Sequence, residues 1–196
     1  MVIDISQEIF SCRVYPGDPA PERTRLFSMD DGALYNLSAI SMCVHNGTHL
    51  DAPAHFFKDG KTIGDFPPEV FAGDCYVARH DGDVTASDAR RILAKAASHK
   101  RLLIAGKAVV TEDAARIFAD AKLLLIGNES QSVGPENAPM AVHKILLGAD
   151  IVLLEGVVLT HVSEGSYLLS AMPLHLSGCE GAPCRAVLIT KDAAHS

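Results

Sequence analysis

Apolar residues in this chain fall into short, almost unbroken runs, separated by two stretches where they recur at helical spacing. Val2-Ile3-Asp4-Ile5 reads as a short strand, and the Pro/Gly/Asp cluster from Pro16 to Pro21 as a loop. From Asn36 to His45 the residues alternate, with Ile40, Met42 and Val44 on one face and Leu37, Ala39 and Cys43 on the other. Both faces are mostly apolar, which predicts an interior strand carrying His45 at its end. Further strands are predicted at Cys75–Ala78, Leu102–Ala105, Leu123–Gly127 and Ile151–Glu155. Thr85-Ala86-Ser87-Asp88 has the form of a capping box ahead of Ala89, Ile92, Leu93 and Ala96, which share one helix face. Thr111 opens a second capped helix with an apolar stripe of Ala114, Ile117, Phe118 and Ala121, and a shorter helix from about Pro139 to Leu147 carries His143. The alternation of strand and helix predicts one α/β domain spanning residues 1–196, with a mixed β-sheet core, parallel in part, and flanking helices. The polar loop from Asn128 to Asn137 leaves the end of a buried strand, where open α/β sheets border their ligand crevices.

Composition narrows the function without naming it. Hydrophobic residues make up 48% of the 196, enough for a packed core. A formal charge of −7 argues against nucleic acid or an anionic membrane as partner. No run of about eighteen uncharged apolar residues is present to span a bilayer, and the acidic N-terminus lacks the pattern of a signal peptide. Five cysteines, odd in number and without a C-x-x-C, suit a reduced cytoplasmic protein; Cys179 and Cys184 are spaced closely enough to pair or to share a metal.

Chemistry concentrates in one stretch, His45-Asn46-Gly47-Thr48-His49-Leu50-Asp51-Ala52-Pro53-Ala54-His55, which sets three imidazoles and a carboxylate within eleven residues. These are the donors that hold a borderline divalent cation. Gly47, Thr48 and Pro53 are poor helix material, so an extended reading fits better. In a strand His49 and Asp51 point to the same side. A turn at Gly47 then brings His45 to the same point, while Pro53 ends the strand and returns His55 over the site. Glu155 closes an apolar run, where a charge is costly unless paired or bound to a metal. Phe56 and Phe57 fit a pocket wall and satellite core equally well.

The histidine string resembles the signature of the metal-dependent cyclase-like hydrolases, the family of bacterial kynurenine formamidases and isatin hydrolases. The similarity extends to Tyr15-Pro16-Gly17-Asp18-Pro19, to Ala141-Val142-His143 with Leu154-Glu155-Gly156, and to Ala171–Leu174 and Arg185–Leu188 as closing strands. It implies a swivelling β/β/α fold. It also implies one cation held by His45, His49 and Asp51 and a second by Asp51, His143 and Glu155, so one or two ions per subunit. Zinc suits the imidazole-rich set best, and manganese is the alternative. A cation in such a site acidifies water and polarises a carbonyl, the chemistry of amide hydrolysis.

In this reading His55 is the catalytic acid/base, although the sequence alone leaves a ligand role for it open. The expected substrate is a small-molecule amide, N-formylkynurenine first and a cyclic amide such as isatin second; a metal-binding paralogue without turnover is the reading from another class. Two departures bear on specificity. The family's formamidases usually carry Trp where this chain has Tyr15, and their Gly-x-Asp-Thr-x-Ser-Val loop is here Gly127-Asn128-Glu129-Ser130-Gln131-Ser132-Val133. The proline-rich N-terminal loop resembles a segment that often reaches into a neighbour's active site, which implies a homodimer or homotetramer. His80, His99, His175 and His195 have no constellation around them, and His161 is expected to be bland.

Overall fold

The computed structural model describes residues 1–190. In chain order the strands and helices begin with β1 (Val2–Asp4), β2 (Glu22–Phe27), β3 (Leu37–Ser41), β4 (His49–Asp51), β5 (Ala72–Arg79) and β6 (Gly82–Val84). Next come α1 (Ala86–Ala96), β7 (Arg101–Ala105), β8 (Ala108–Val110), α2 (Glu112–Asp120) and β9 (Leu125–Asn128). The chain closes with α3 (Met140–Leu147), β10 (Val152–Glu155), β11 (Gly165–Ser170), β12 (Gly181–Pro183) and β13 (Val187–Thr190). Among the described residues nine strands form one mixed sheet in the order β1-β13-β11-β5-β7-β9-β10-β4-β12. Within this sheet the run β5-β7-β9-β10 is parallel and every other pairing is antiparallel, and β6 and β8 form a separate parallel pair.

The apolar runs become strands because both faces of the sheet are covered. Along β7, Leu103 and Ala105 enter one core while Leu102 and Ile104 enter the other. In β10, Val152 and Leu154 oppose Leu153 in the same way. The second core is roofed by the three helices through Ile92, Ala114, Phe118, Val142 and Leu146. Helix α1 starts at its capping box: the Thr85 hydroxyl accepts from the Asp88 N–H at 3.3 Å, and the Asp88 carboxylate accepts from the Thr85 N–H at 3.0 Å. Thr111 caps α2 by accepting from the Ala114 N–H. Phe118 is the largest side chain sealed in this layer. Phe118→Ala is expected to cost about 3–5 kcal/mol of stability, read as a lowered Tm in calorimetry at fixed metal load; an unchanged Tm would show that α2 is not held by this core.

Two expectations are corrected. The segment from Asn36 to His45 is no interior strand: β3 pairs only with β2, in a two-stranded ribbon whose residues are all exposed. Alternation with two apolar faces signals that something covers both, and no other part of the described chain does. Ala171–Leu174 is no strand, making only a single bridge between Pro173 and Cys184; the closing strand at 165–170 precedes it and the one at 187–190 follows. Cys179 and Cys184 do not pair, and all five cysteines are free thiols. No helix among the described residues is long and apolar enough to cross a membrane.

Candidate metal centre

Strand β4 is three residues long and fully buried, clasped between β10 and β12. Period-two geometry sends Leu50 into the core and turns His49 and Asp51 to the opposite face. The register places Glu155 of β10 directly across from His49, so a residue 106 positions later shares that face. His45 arrives through a turn in which Gly47 takes φ +65°, a left-handed conformation that glycine adopts without strain. Thr48 ties this turn to the exit of β10 by donating its hydroxyl to Gly156 O at 2.7 Å, and accepts from the Gln7 N–H at 2.9 Å. His143 comes in from α3.

These five side chains form two triads that share Asp51: His45, His49 and Asp51, then Asp51, His143 and Glu155. Within each triad the donor atoms lie within 4.8 Å of one another, and no other such group occurs among the described residues. His45 Nδ1 is 2.8 Å from Asp51 Oδ1, and His49 Nε2 stands 3.5 Å from Asp51 and 3.6 Å from Glu155. His143 Nε2 stands 3.6 Å from Asp51 and 3.2 Å from Glu155.

The donor chemistry fits a divalent cation. His49 Nδ1 faces Gly47 O at 3.0 Å, and His143 Nδ1 faces Pro139 O at 2.9 Å. A carbonyl only accepts, so each Nδ1 carries hydrogen and each Nε2 is left to offer its lone pair inward. Glu155 Oε1 accepts from the Val133 N–H at 2.7 Å, which orients the carboxylate. Two buried carboxylates beside three imidazoles would be costly without a balancing positive charge.

Protons supply that charge in the metal-free chain. Burial opposes ionisation of His45 and His143, yet the Asp51 hydrogen bonds and the surrounding carboxylates outweigh it and push them up to about 9 and about 10. Burial of Asp51 acts against its charge too, but hydrogen bonds from His143 and His45 hold its carboxyl well below the ordinary range.

His55 belongs to neither triad. Pro53–His55 forms a single tight turn after β4, and the ring lies tilted against that of His45 at 4.3 Å and meets that of His143 edge-on at 6.1 Å. Burial lowers its pKa, the His45 and His143 charges add to this, and Asp51 opposes, so the neutral imidazole is favoured. Phe56 joins the pocket wall and packs at 5.1 Å on His143, while Phe57 packs against the helix-side core. The cavity holds about 270 Å³ and is further lined by Tyr15, Asp18, Gln131 and Pro139. The N-terminal loop thus reaches into the pocket of its own chain, where Tyr15 donates its hydroxyl to Glu136 O at 2.6 Å. Gln131, expected only as part of a loop bordering the ligand crevice, lines the pocket itself. Sequence reasoning missed Glu180, 3.5 Å from His45 Nε2, which only the pairing of β12 on β4 brings close.

The other histidines stay outside. His80 bonds Asp83 O and His99 bonds Ala96 O; His161 and His175 do not line this cavity, and His195 lies outside the described residues.

The chain resembles known proteins over nearly its whole length. The kynurenine formamidase of Salinibacter ruber is 33% identical, the match covering 95% of this chain and 96% of that protein. A solved structure described as a potential metal-dependent hydrolase with cyclase activity superposes with a TM-score of 0.81 at 29% identity, covering 96% of each chain. Isatin hydrolase A from Labrenzia aggregata reaches a TM-score of 0.83 over 97% of this chain and 94% of its own, and at 19% identity it shows the shared fold. The cyclase family model matches residues 3–135, which with the formamidase similarity over nearly the whole length places this chain in the cyclase family of hydrolases.

Proposed function

We propose that this protein is a divalent-metal amidohydrolase that cleaves N-formylkynurenine to formate and kynurenine. The observation that carries the reading is Asp51 shared by two buried triads at the floor of a small pocket. His45, His49 and Asp51 would hold one cation and Asp51, His143 and Glu155 a second, with zinc favoured over manganese by the three imidazoles. When bound, the metal supplies a Lewis acid for the carbonyl and brings water's pKa towards neutrality. The chain does the rest. Gly47 and Pro139 carbonyls aim two imidazoles, the Val133 N–H aims Glu155, and Phe56 with Tyr15 walls a cavity of about 270 Å³ that suits one aromatic ring. His55, outside both triads and neutral, takes a proton from the attacking water at its free ring nitrogen and returns it to the departing nitrogen.

Elemental analysis with hydrolysis assays on N-formylkynurenine and isatin tests the proposal. Metal together with formamide cleavage is expected; a metal-free protein, or one inert on both substrates, would overturn it. Preference for isatin would favour ring opening of a cyclic amide, a second reading supported by the fold shared with isatin hydrolase and by Tyr15 in the place of a tryptophan. Five free thiols support a reducing, cytoplasmic location.

Metal uptake should depend on pH. His45 and His143 hold protons up to about 9 and about 10 in the metal-free chain, so a cation binding at pH 7 must displace them. Affinity therefore rises with pH through that range. The same raised pKa values stabilise the metal-free fold below the ordinary imidazole range, and this contribution is lost as pH climbs through about 9 and 10. Calorimetric zinc titrations in buffers of different ionisation enthalpy should report proton release at pH 7; pH-independent binding without release would contradict the picture.

Assembly as a homodimer or homotetramer is part of the proposal. Its support is the ribbon β2–β3, which carries Phe27, Tyr35 and Ile40 exposed, with Leu34 at its tip 94% exposed. A lone two-stranded ribbon is marginal in water, and a second copy is the partner proposed to cover it. Light scattering of an active sample should give at least a dimer; an active monomer would dispose of this.

A further inference from the structure

The three imidazoles of the two triads are held from behind in different ways. His49 and His143 each present Nδ1 to a main-chain carbonyl and Nε2 to the carboxylates. His45 is reversed: its Nδ1 lies 2.8 Å from Asp51, and its Nε2 points away from the triads. That outward nitrogen is buried and makes no hydrogen bond, and no backbone carbonyl reaches it. The group facing it is the Glu180 carboxylate, with Oε1 3.5 Å away.

The backbone that carries Glu180 is held in place. Its carbonyl accepts from the Ala52 N–H at 2.8 Å, and the Cys179 carbonyl accepts from the Ile63 N–H at 2.9 Å, so its backbone is fastened on both sides. Gly181 follows as the first residue of β12, opposite Asp51. A Cβ at Gly181 would stand 3.0 Å from His45 Cε1 and 2.7 Å from Leu50 O, so glycine here leaves the room the His45 ring occupies. The Glu180-Gly181 pair thus shapes the seat of His45 from outside: the glycine admits the ring and the acid meets its far nitrogen.

We propose that Glu180 is the positioning residue for His45, accepting its Nε2–H and thereby keeping Nδ1 turned towards Asp51, where it can bind the cation. The assignment rests on the metal-centre reading above. A carboxylate on the far nitrogen of a metal-binding imidazole fixes tautomer and ring orientation and raises the basicity of the ligating nitrogen, and its loss typically weakens metal binding by about 10–100-fold. Its side chain is 43% exposed, so it reaches solvent as well as His45 and can be altered without opening the core. His45 is accordingly the one imidazole of the three whose support a side-chain substitution can remove.

The test uses the full chain and zinc alone, in competition with a chelating dye. Glu180→Ala is expected to bind zinc about 10–100-fold more weakly. Glu180→Gln, whose amide oxygen still accepts the Nε2–H, should recover most of that loss, whereas Glu180→Leu, similar in size but without an acceptor, should not; equal recovery by both would reduce Glu180 to a space filler and overturn its role. Nitrogen-15 NMR of the zinc-loaded protein should show His45 coordinated through Nδ1 with hydrogen on Nε2, and His49 and His143 coordinated through Nε2. His49→Ala, run alongside, separates the two ways of failing. If His49→Ala loses zinc while Glu180→Ala binds it like wild type, or if His45 coordinates through Nε2, the role of Glu180 is overturned and the metal centre stands. If both variants bind zinc like wild type, the metal centre itself is misplaced and the assignment of Glu180 falls with it.

Discussion

Asp51→Asn should leave a folded protein that neither retains its metal nor turns over substrate. The substitution keeps size and leaves the backbone pairings with Leu153 and Gly181 intact, so β4 remains in the sheet. What changes is the one group common to both triads. An amide has no charge to share between two cations, and its NH₂ presents hydrogen where His45 or His143 now meets a carboxylate oxygen. Metal-assisted stabilisation of the reacting carbonyl is worth several kcal/mol, so activity should fall on the order of 10³-fold or more. Elemental analysis, circular dichroism and hydrolysis rates together decide the matter. A folded Asn variant with a full complement of metal would show that Asp51 is not the shared ligand.

His55→Ala should fail in a different way. Its ring lies tilted against that of His45 but belongs to neither triad, so its loss is expected to spare the metal. Loss of a general acid–base costs about 10²–10⁴ in rate, and here the deficit should sit in kcat with KM nearly unchanged. The limb of the pH–rate profile that reports its titration should disappear as well. Because burial lowers its pKa, that limb is expected on the acidic side of the ordinary histidine range. Metal loss in parallel with activity would make His55 a ligand, and the proton carrier would have to be sought elsewhere in the pocket.

Much of this was legible from residue order, for identifiable reasons. The histidine string could be read because its geometry is local: Gly47 turns, β4 alternates, and Pro53 stops. The parallel strands and capped helices could be read because apolar runs and Thr-x-x-Asp spacing report burial and helix starts directly. What escaped is set by pairing between distant segments. The three residues of β12, Gly181-Ala182-Pro183, have no strand propensity of their own, and only β4 draws them into the sheet. With β12 unseen, Glu180 had no reason to stand near His45. The misreading of Asn36–His45 has the opposite cause. The apolar pattern there is real, but the ribbon finds no cover within its own described chain, so a true signal of burial led to the wrong neighbour.

The placement of β4 between β10 and β12 also sets a timetable. His45 and Glu155 lie 110 residues apart, and β12 ends at Pro183. At about 5–20 residues per second, a ribosome makes the histidine string roughly 5–20 s before the glutamate that completes the second triad. Throughout that interval the string has neither of its flanking strands. A nascent chain stalled before Glu180 would hold β4 as a bare edge, with His45 unsupported from behind. The second triad therefore cannot close before Glu155 is made, and the strand behind His45 follows later still.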